Sequence, residues 1–131
     1  MVSLKELRIG NIVQVGTIWA VVDYLNNDSD GIGLQGNAII NRSDQIDPIE
    51  LTTEILHKAG FEKHRDSNEY WNHWVLKNGW CVSEWIGDCP IAGFEEKGVY
   101  YWGEEYIPIR HLHSLQNFYF CHTSQELQIN L

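Results

Sequence analysis

The sequence predicts an α+β fold: a small N-terminal barrel-like β-sheet, a connecting helix, a second antiparallel sheet, and a C-terminal helix and strand. Two observations carry this prediction. β-branched and aromatic runs, bounded by Gly, Asn and Asp, fill residues 12–40 and 70–109. Apolar residues recur at helical spacing near residues 52–59 and 110–123, so these segments are predicted helices.

A chain of 131 residues has the usual size of one domain, and we expect residues 1–131 to form one. Within it we distinguish a barrel-like β subregion, 1–50, from an α+β subregion, 51–131. Hydrophobic residues make up 44% and charged residues 21%, which is the composition of a globular chain rather than a disordered one.

The connecting helix has clear start and stop signals. Thr52 can cap its first turn, and Gly60 permits the left-handed residue that commonly ends a helix. Phe61 can then fold back on Leu56. Ile55, Leu56 and Ala59 supply the buried face.

The second sheet is predicted by a hairpin signal and by its aromatic content. Asn78-Gly79 lies between two apolar runs, which is typical of a β-hairpin. Aromatic residues occur at both parities of the strand from residue 70 to 76. One face of this strand therefore belongs to the core, and the other is either covered or forms a binding surface.

The C-terminal helix is predicted from about Arg110 to Thr123, followed by a closing strand over residues 126–131. The predicted core arc of this helix contains Leu112, Leu115, Phe118 and Tyr119. A second arc contains His113, Gln116, Asn117 and Phe120.

The formal net charge of −9 disfavours direct nucleic-acid binding and an anionic membrane surface, because both need clustered Lys and Arg. The N-terminus lacks the apolar run of a signal peptide, and no segment has the length of a membrane span. Three Cys at irregular spacing do not indicate a disulfide framework. We therefore expect a cytoplasmic protein.

Catalytic and metal motifs are missing from the sequence. The His and Cys residues lack the paired spacings of structural zinc sites, so we expect no metal and no cofactor. No Ser or Cys lies in a recognisable nucleophile motif, although a Cys/His pair could still meet in space. The sequence favours a protein that is not an enzyme, and a small enzyme of unknown reaction stays an alternative.

The second arc of the C-terminal helix is the candidate ligand site. Amide groups can recognise donor and acceptor patterns, an aromatic ring can stack on a base, and a nearby Arg can bind a phosphate. The alternative is structural: Gln116 and Asn117 would satisfy backbone groups of a neighbouring segment, and His113 would pack at a seam of the domain. The candidate ligand-binding residues are Arg110, His113, Gln116, Asn117, Phe120, Trp74 and Trp102.

The middle of the chain supports a different hypothesis. Its surplus of Trp and Tyr suits a protein partner, a self-interface or a cationic ligand, and it leads us to expect a homo-oligomer. Its acids would be either a solvated face or a mimic of DNA phosphates. They are Glu84, Asp88, Glu95, Glu96, Glu104 and Glu105.

Three motifs frame the chain. They are Leu7-Arg8-Ile9-Gly10-Asn11-x-Val13, Pro48-Ile49-Glu50-Leu51-Thr52-x-Glu54-Ile55-Leu56-x-Lys58-Ala59-Gly60-Phe61, and Leu112-His113-x-Leu115-Gln116-Asn117-x-Tyr119-Phe120-x-x-Thr123-x-x-Glu126-Leu127. In these motifs the chain resembles a family of small uncharacterised proteins of Bacteroidota and their phages. Ser124 stands where that family usually has Gly. The resemblance implies a phage or mobile-element setting but no specific activity.

These observations lead us to expect a non-catalytic binding protein that sequesters a small nucleotide-like ligand, such as an immune signal. The alternative is an acidic protein–protein inhibitor or DNA mimic that acts on a host protein.

Overall fold

The computed structural model describes residues 2, 4–26, 28–36, 40–87, 94, 96–103 and 105–130. The strands of this part form one four-stranded and one five-stranded antiparallel sheet, so the predicted α+β fold is confirmed. In chain order its elements are β1 (Ile12–Val15), β2 (Ile18–Asn26), β3 (Gly31–Leu34), β4 (Ile40–Arg42), α1 (Thr53–Lys58), β5 (Glu62–Lys63), β6 (Trp71–Val75), β7 (Cys81–Trp85), β8 (Tyr100–Trp102), β9 (Ile107–Ile109) and α2 (Leu112–Thr123).

The chain divides into two compact units, residues 1–50 with 111–127 and residues 51–110 with 128–131. These units differ from the predicted subregions 1–50 and 51–131, because α2 groups with the N-terminal sheet. The Leu112 amide donates to the Ile49 carbonyl at 2.8 Å, so the start of α2 is bonded to the end of the N-terminal segment.

The first unit is built on β1 to β4, a meander that curves into a half-barrel. The pairing of β2 with β3 shifts register between Val22 and Tyr24, and such irregularities increase the local twist of a sheet. Its core consists of Val2, Leu7, Val13, Val22, Ile32, Leu34 and Ile46.

Helix α2 buries residues of its second arc as well as residues of its predicted core arc. Leu112, Leu115 and Tyr119 are buried as predicted, whereas Phe118 is only partly buried. His113 and Gln116, from the second arc, are each 2% exposed. Ser124 ends the helix at φ 58°, in the left-handed conformation that Gly adopts most easily.

The second unit begins with α1, whose predicted signals are confirmed. The Thr52 hydroxyl accepts from the Ile55 amide at 3.3 Å. At the other end Gly60 has φ +93°, and the Phe61 amide donates to the Leu56 carbonyl at 2.9 Å. These bonds satisfy backbone groups that every helix end leaves open.

The five-stranded sheet follows the order β5-β6-β7-β8-β9. The predicted hairpin forms between β6 and β7, with Trp74 paired to Val82 and His73 paired to Ser83. Because side chains alternate along a strand, Trp74 and Val82 lie on one face of the sheet and His73 and Ser83 on the other. The face of Trp74 is packed, since Trp74, Val82 and Tyr100 are all buried.

The predicted closing strand over 126–131 is wrong for the described residues 126–130, which have no regular secondary structure. Leu127 is buried, so the alternation of apolar residues does indicate burial. A strand also needs a neighbouring edge to pair with, however, and the Asn130 amide instead donates to the Lys58 carbonyl of α1 at 2.8 Å.

Candidate functional site

Both polar atoms of the Gln116 side chain form hydrogen bonds to the backbone at the start of β1. Its Oε1 accepts from the Ile12 amide at 2.8 Å, and its Nε2 donates to the Gly10 carbonyl at 3.1 Å. Gly10 has φ +100°, a conformation that favours glycine. Gln116 therefore ties α2 to the first strand, as the structural alternative expected.

Asn117 has a similar role beside Gln116. Its Oδ1 accepts from Asn11 Nδ2 at 2.8 Å and from Arg8 Nε at 3.1 Å, and its Nδ2 donates to the Glu6 carbonyl at 2.9 Å. Arg8 also forms an ion pair with the Glu126 carboxylate, and its guanidinium lies 4.3 Å from the centre of the Phe120 ring. We call the set Arg8, Asn11, Gln116, Asn117 and Glu126 the amide cluster.

The amide cluster consists of residues from the first and last of the three motifs that frame the chain. Their side chains bond one another and nearby backbone in the first unit, and buried polar groups need such partners. These motif positions therefore have a structural explanation that requires no ligand.

His113 is also held inside the first unit. Its ring stacks on that of His111 with centroids 5.5 Å apart, and its Nε2 lies 3.9 Å from Glu6 Oε2. Within the described residues, no hydrogen-bond partner reaches its Nδ1. Burial lowers the pKa of His113, with a further lowering from His111, while Glu6 opposes the shift. A neutral, buried imidazole does not supply the positive charge that a phosphate requires.

The other predicted ligand residues belong to the second unit. Arg110 is exposed and pairs with Glu96 Oε2 at 3.2 Å. Trp74 is 5% exposed and donates from Nε1 to Glu84 at 3.1 Å. Trp102 stacks on Trp80 with centroids 6.3 Å apart. Arg110 and the two Trp residues therefore fall in a different compact unit from the second arc of α2.

The acidic residues in the middle of the chain lie in different environments. Glu84 is 8% exposed and accepts from Trp74 and, at 3.3 Å, from Asn72 Nδ2, so it does not contribute to a charged surface. Burial and the Glu84 carboxylate raise the pKa of Tyr100 above its ordinary range. Glu105 is exposed and Glu96 pairs with Arg110. Asp88, Glu95 and Glu104 lie outside the described residues.

The face of the second sheet that carries His73 and Ser83 holds a cluster of aromatic rings. Trp71 contacts Trp85 at a centroid distance of 5.1 Å and Tyr101 at 6.1 Å. It also stacks on Tyr106 at 5.5 Å with 23° between the ring planes. Phe94 contacts these rings at 5.1 to 5.5 Å. Most of the Trp and Tyr rings in the middle of the chain therefore pack against other aromatic rings of the same chain.

Tyr106 has an unusual backbone conformation, with φ 53°. A bulky residue rarely adopts positive φ, because its Cβ crowds the backbone. The conformation closes a turn in which the Tyr106 amide donates to the Gly103 carbonyl at 3.2 Å. The turn leaves Tyr106 47% exposed and stacked on Trp71. Such outliers often occur at binding sites.

A cavity of about 510 Å³ opens beside these rings, and we call it the aromatic pocket. The His73 and Ser83 side chains are bonded to each other in it, with 2.8 Å between Nδ1 and Oγ. The His73 amide donates to Ser67 Oγ at 3.0 Å, which fixes this part of β6. The lining residues are Trp71, Tyr101, Tyr106, His73, Cys81, Ser83 and Gly103.

Sequence reasoning missed His73, Ser83 and Tyr106. The hairpin signal could have located the first two, because a turn centred on Asn78 pairs residues 73 and 83. Tyr106 had no such signal, since positive φ at a Tyr is decided by the turn around it.

A wider depression of about 800 Å³ lies along α1 in the same unit. Its lining includes Thr53, Glu54, Lys58, Gln128 and Asn130, and among the described lining residues only His57 carries a ring. It therefore offers less stacking surface to a planar ligand than the aromatic pocket does.

The described residues contain no group of three or more His, Cys, Asp or Glu placed to hold a metal ion. Cys81 and Cys121 are exposed free thiols, and Cys89 lies outside the described residues. None of the helices in the described part is long and apolar enough to cross a membrane. Comparisons with protein-family models, curated proteins and solved structures find no match to this chain.

Proposed function

We propose that this chain is a non-catalytic binding protein and that its small-molecule site is the aromatic pocket of the second sheet. The observation that carries the proposal is the lining of this cavity of about 510 Å³: aromatic rings beside one hydrogen-bonded polar pair. Ligand sites of roughly 300–1,000 Å³ commonly combine apolar walls with a few fixed polar groups.

The aromatic rings of the pocket favour a planar ligand. A planar, base-like ring system can stack on Tyr106 or Trp71, and stacking on an aromatic side chain contributes about 1–3 kcal/mol per base. This proposal moves the nucleotide-like site predicted on α2 to a different surface, because Gln116 and Asn117 already have protein partners.

The resemblance to a family of Bacteroidota and their phages supports a biological role for such a binder. A phage protein that captures a base-containing immune signal in the host cytosol would lower the free concentration of that signal. The homo-oligomer is kept within the proposal, with the exposed ring of Tyr70, outside the pocket lining, as the candidate contact.

The alternatives have weaker support. An acidic inhibitor or DNA mimic would lack Glu84, which is buried. A small enzyme has the hydroxyl–imidazole contact of Ser83 and His73 in its favour, since an adjacent imidazole base is one way to activate a Ser nucleophile.

The test is calorimetric titration of the protein with a panel of nucleobases, nucleosides and cyclic nucleotides. We expect at least one to bind, and Tyr106→Asn to weaken that binding about tenfold or more through lost stacking. Asn tolerates positive φ, so this change removes the ring without new backbone strain.

Tyr70→Asn is the matched control. Tyr70 is 51% exposed and stacks on Trp85, but it does not line the pocket. Equal losses in both variants, or no binding by any compound of the panel, would contradict the proposal.

A further inference from the structure

The charge and hydrogen bonding of the aromatic pocket allow its ligand class to be narrowed. We infer that the pocket takes an uncharged base-like ring of the nucleobase or nucleoside class and discriminates against the phosphorylated nucleotide. This inference rests on the proposed function, because it concerns the same site.

The charge argument starts from the lining residues that the structure describes, among which there is no Lys and no Arg. Arg110, the predicted phosphate ligand, is not in the lining and pairs with Glu96 at 3.2 Å. The chain as a whole has a formal charge of −9. A phosphate brought to this pocket would lose hydration without gaining a cationic partner, and it would meet a repulsive field.

The His73–Ser83 pair supplies the hydrogen-bonding groups that can contact the edge of a bound ring. If the Ser83 hydroxyl donates to His73 Nδ1, the imidazole keeps a donor at Nε2 and the Ser83 oxygen keeps an acceptor. If Nδ1 donates instead, Nε2 becomes the acceptor and the hydroxyl becomes the donor. Either way the pair retains one donor and one acceptor.

A donor and an acceptor on this pair can hydrogen-bond the polar edge of a nucleobase, which itself presents donors and acceptors. The pair can also exchange the two roles by moving protons, so it can match bases that present the edge in either order. We therefore assign edge recognition to His73 and Ser83 and stacking to Tyr106.

The experiment compares adenosine, AMP and ADP, and the matching guanosine series, by calorimetry at low and high salt. We expect the nucleoside to bind tightest and each added phosphate to weaken binding about tenfold at low salt. Salt screens repulsion, so the gap between nucleoside and nucleotide should narrow at high salt while nucleoside affinity stays constant.

Ser83→Ala tests the edge contact. We expect it to weaken binding of both nucleosides about tenfold, with the melting temperature near that of the parent protein. His73→Gln keeps a donor and an acceptor and should retain more affinity than Ser83→Ala. Ser114→Ala, on α2 in the first unit, is the matched control and should bind like the parent.

The outcomes separate the two proposals. Binding of AMP or ADP at least as tight as adenosine at low salt, or unchanged binding by Ser83→Ala, would overturn this inference and leave the aromatic pocket as a binding site. No binding by any compound of either series, with the protein folded, would remove the proposed function together with the inference.

Discussion

The amide cluster of the first unit and the aromatic pocket of the second unit use their polar groups in opposite ways. In the amide cluster, both ends of Gln116 and of Asn117 bond protein groups, so the cluster stabilises the fold. In the aromatic pocket, His73 and Ser83 bond each other and still line a cavity. Polar residues on a helix arc are therefore not evidence of a site until their partners are known.

Gln116→Leu provides the strongest test of this comparison. It leaves the buried Ile12 amide and the half-buried Gly10 carbonyl without their partner, and a buried group left unsatisfied costs roughly 1–3 kcal/mol. We expect the free energy of unfolding, measured with urea, to fall by the cost of the Ile12 amide plus a smaller cost for the Gly10 carbonyl, while ligand binding in the aromatic pocket is unchanged. The exposed Gln125→Leu is the control. A Gln116 variant that kept its stability but lost ligand binding would reverse the roles of the two regions.

Glu84→Ala should have the next largest effect, within the second unit. The change leaves Trp74 Nε1 without its acceptor in a buried position, at a cost of about 1–3 kcal/mol. Glu84→Gln keeps an acceptor oxygen and should lose less. Chemical denaturation of both variants measures the difference. Suppose instead that Glu84→Ala and Glu84→Gln kept the stability of the parent protein but lost inhibition of a host protein. Glu84 would then act as a surface charge, which would favour the DNA-mimic alternative.

A smaller, pH-dependent effect is expected from His113. Its pKa in the folded protein lies below the ordinary 6.5, so the unfolded chain takes up a proton first as the pH falls. Its contribution to stability is therefore complete above pH 6.5 and is lost as the pH falls through the lowered folded-state pKa. Two groups face this ring: His111 lowers the pKa of His113 further, and Glu6 opposes that shift.

The measurement is the free energy of unfolding at several pH values between about 7.5 and about 5. His113→Leu removes the titrating group and should make the loss of stability on acidification smaller. The exposed His122→Gln is the control and should keep the slope of the parent protein. An unchanged slope in His113→Leu would mean that this buried imidazole is not the source of the pH dependence.

The first helix shows where sequence reasoning works best. Thr52, Gly60 and Phe61 each act within one turn of α1, and their bonds form as predicted. The closing strand failed for a complementary reason: the alternation does coincide with burial of Leu127, but pairing depends on a free sheet edge elsewhere in the fold. Local signals succeed where the partners are local.

The candidate site follows the same division. The sequence places Gln116 and Asn117 on one arc of α2 and offers both a ligand role and a structural role for them. The choice between ligand and backbone needed the positions of Gly10 and Ile12. The aromatic surplus was visible in the sequence, whereas the face occupied by each ring depended on the register of β6, β7 and β8.

By itself the sequence determined the α+β class, the start and end of α1, the hairpin at Asn78-Gly79 and the end of α2 at Thr123. These features depend on propensities, capping and side-chain periodicity over a few residues. Only the tertiary structure decided that α2 groups with the N-terminal sheet, that Glu84 is buried, and that Trp71, His73, Ser83 and Tyr106 surround one cavity. The physical reason is that burial and hydrogen-bond partnership are set by segments far apart in the chain. His73 and Ser83 can be paired from the turn between them, but the Tyr106 ring reaches the pocket only through a strained turn further along the chain.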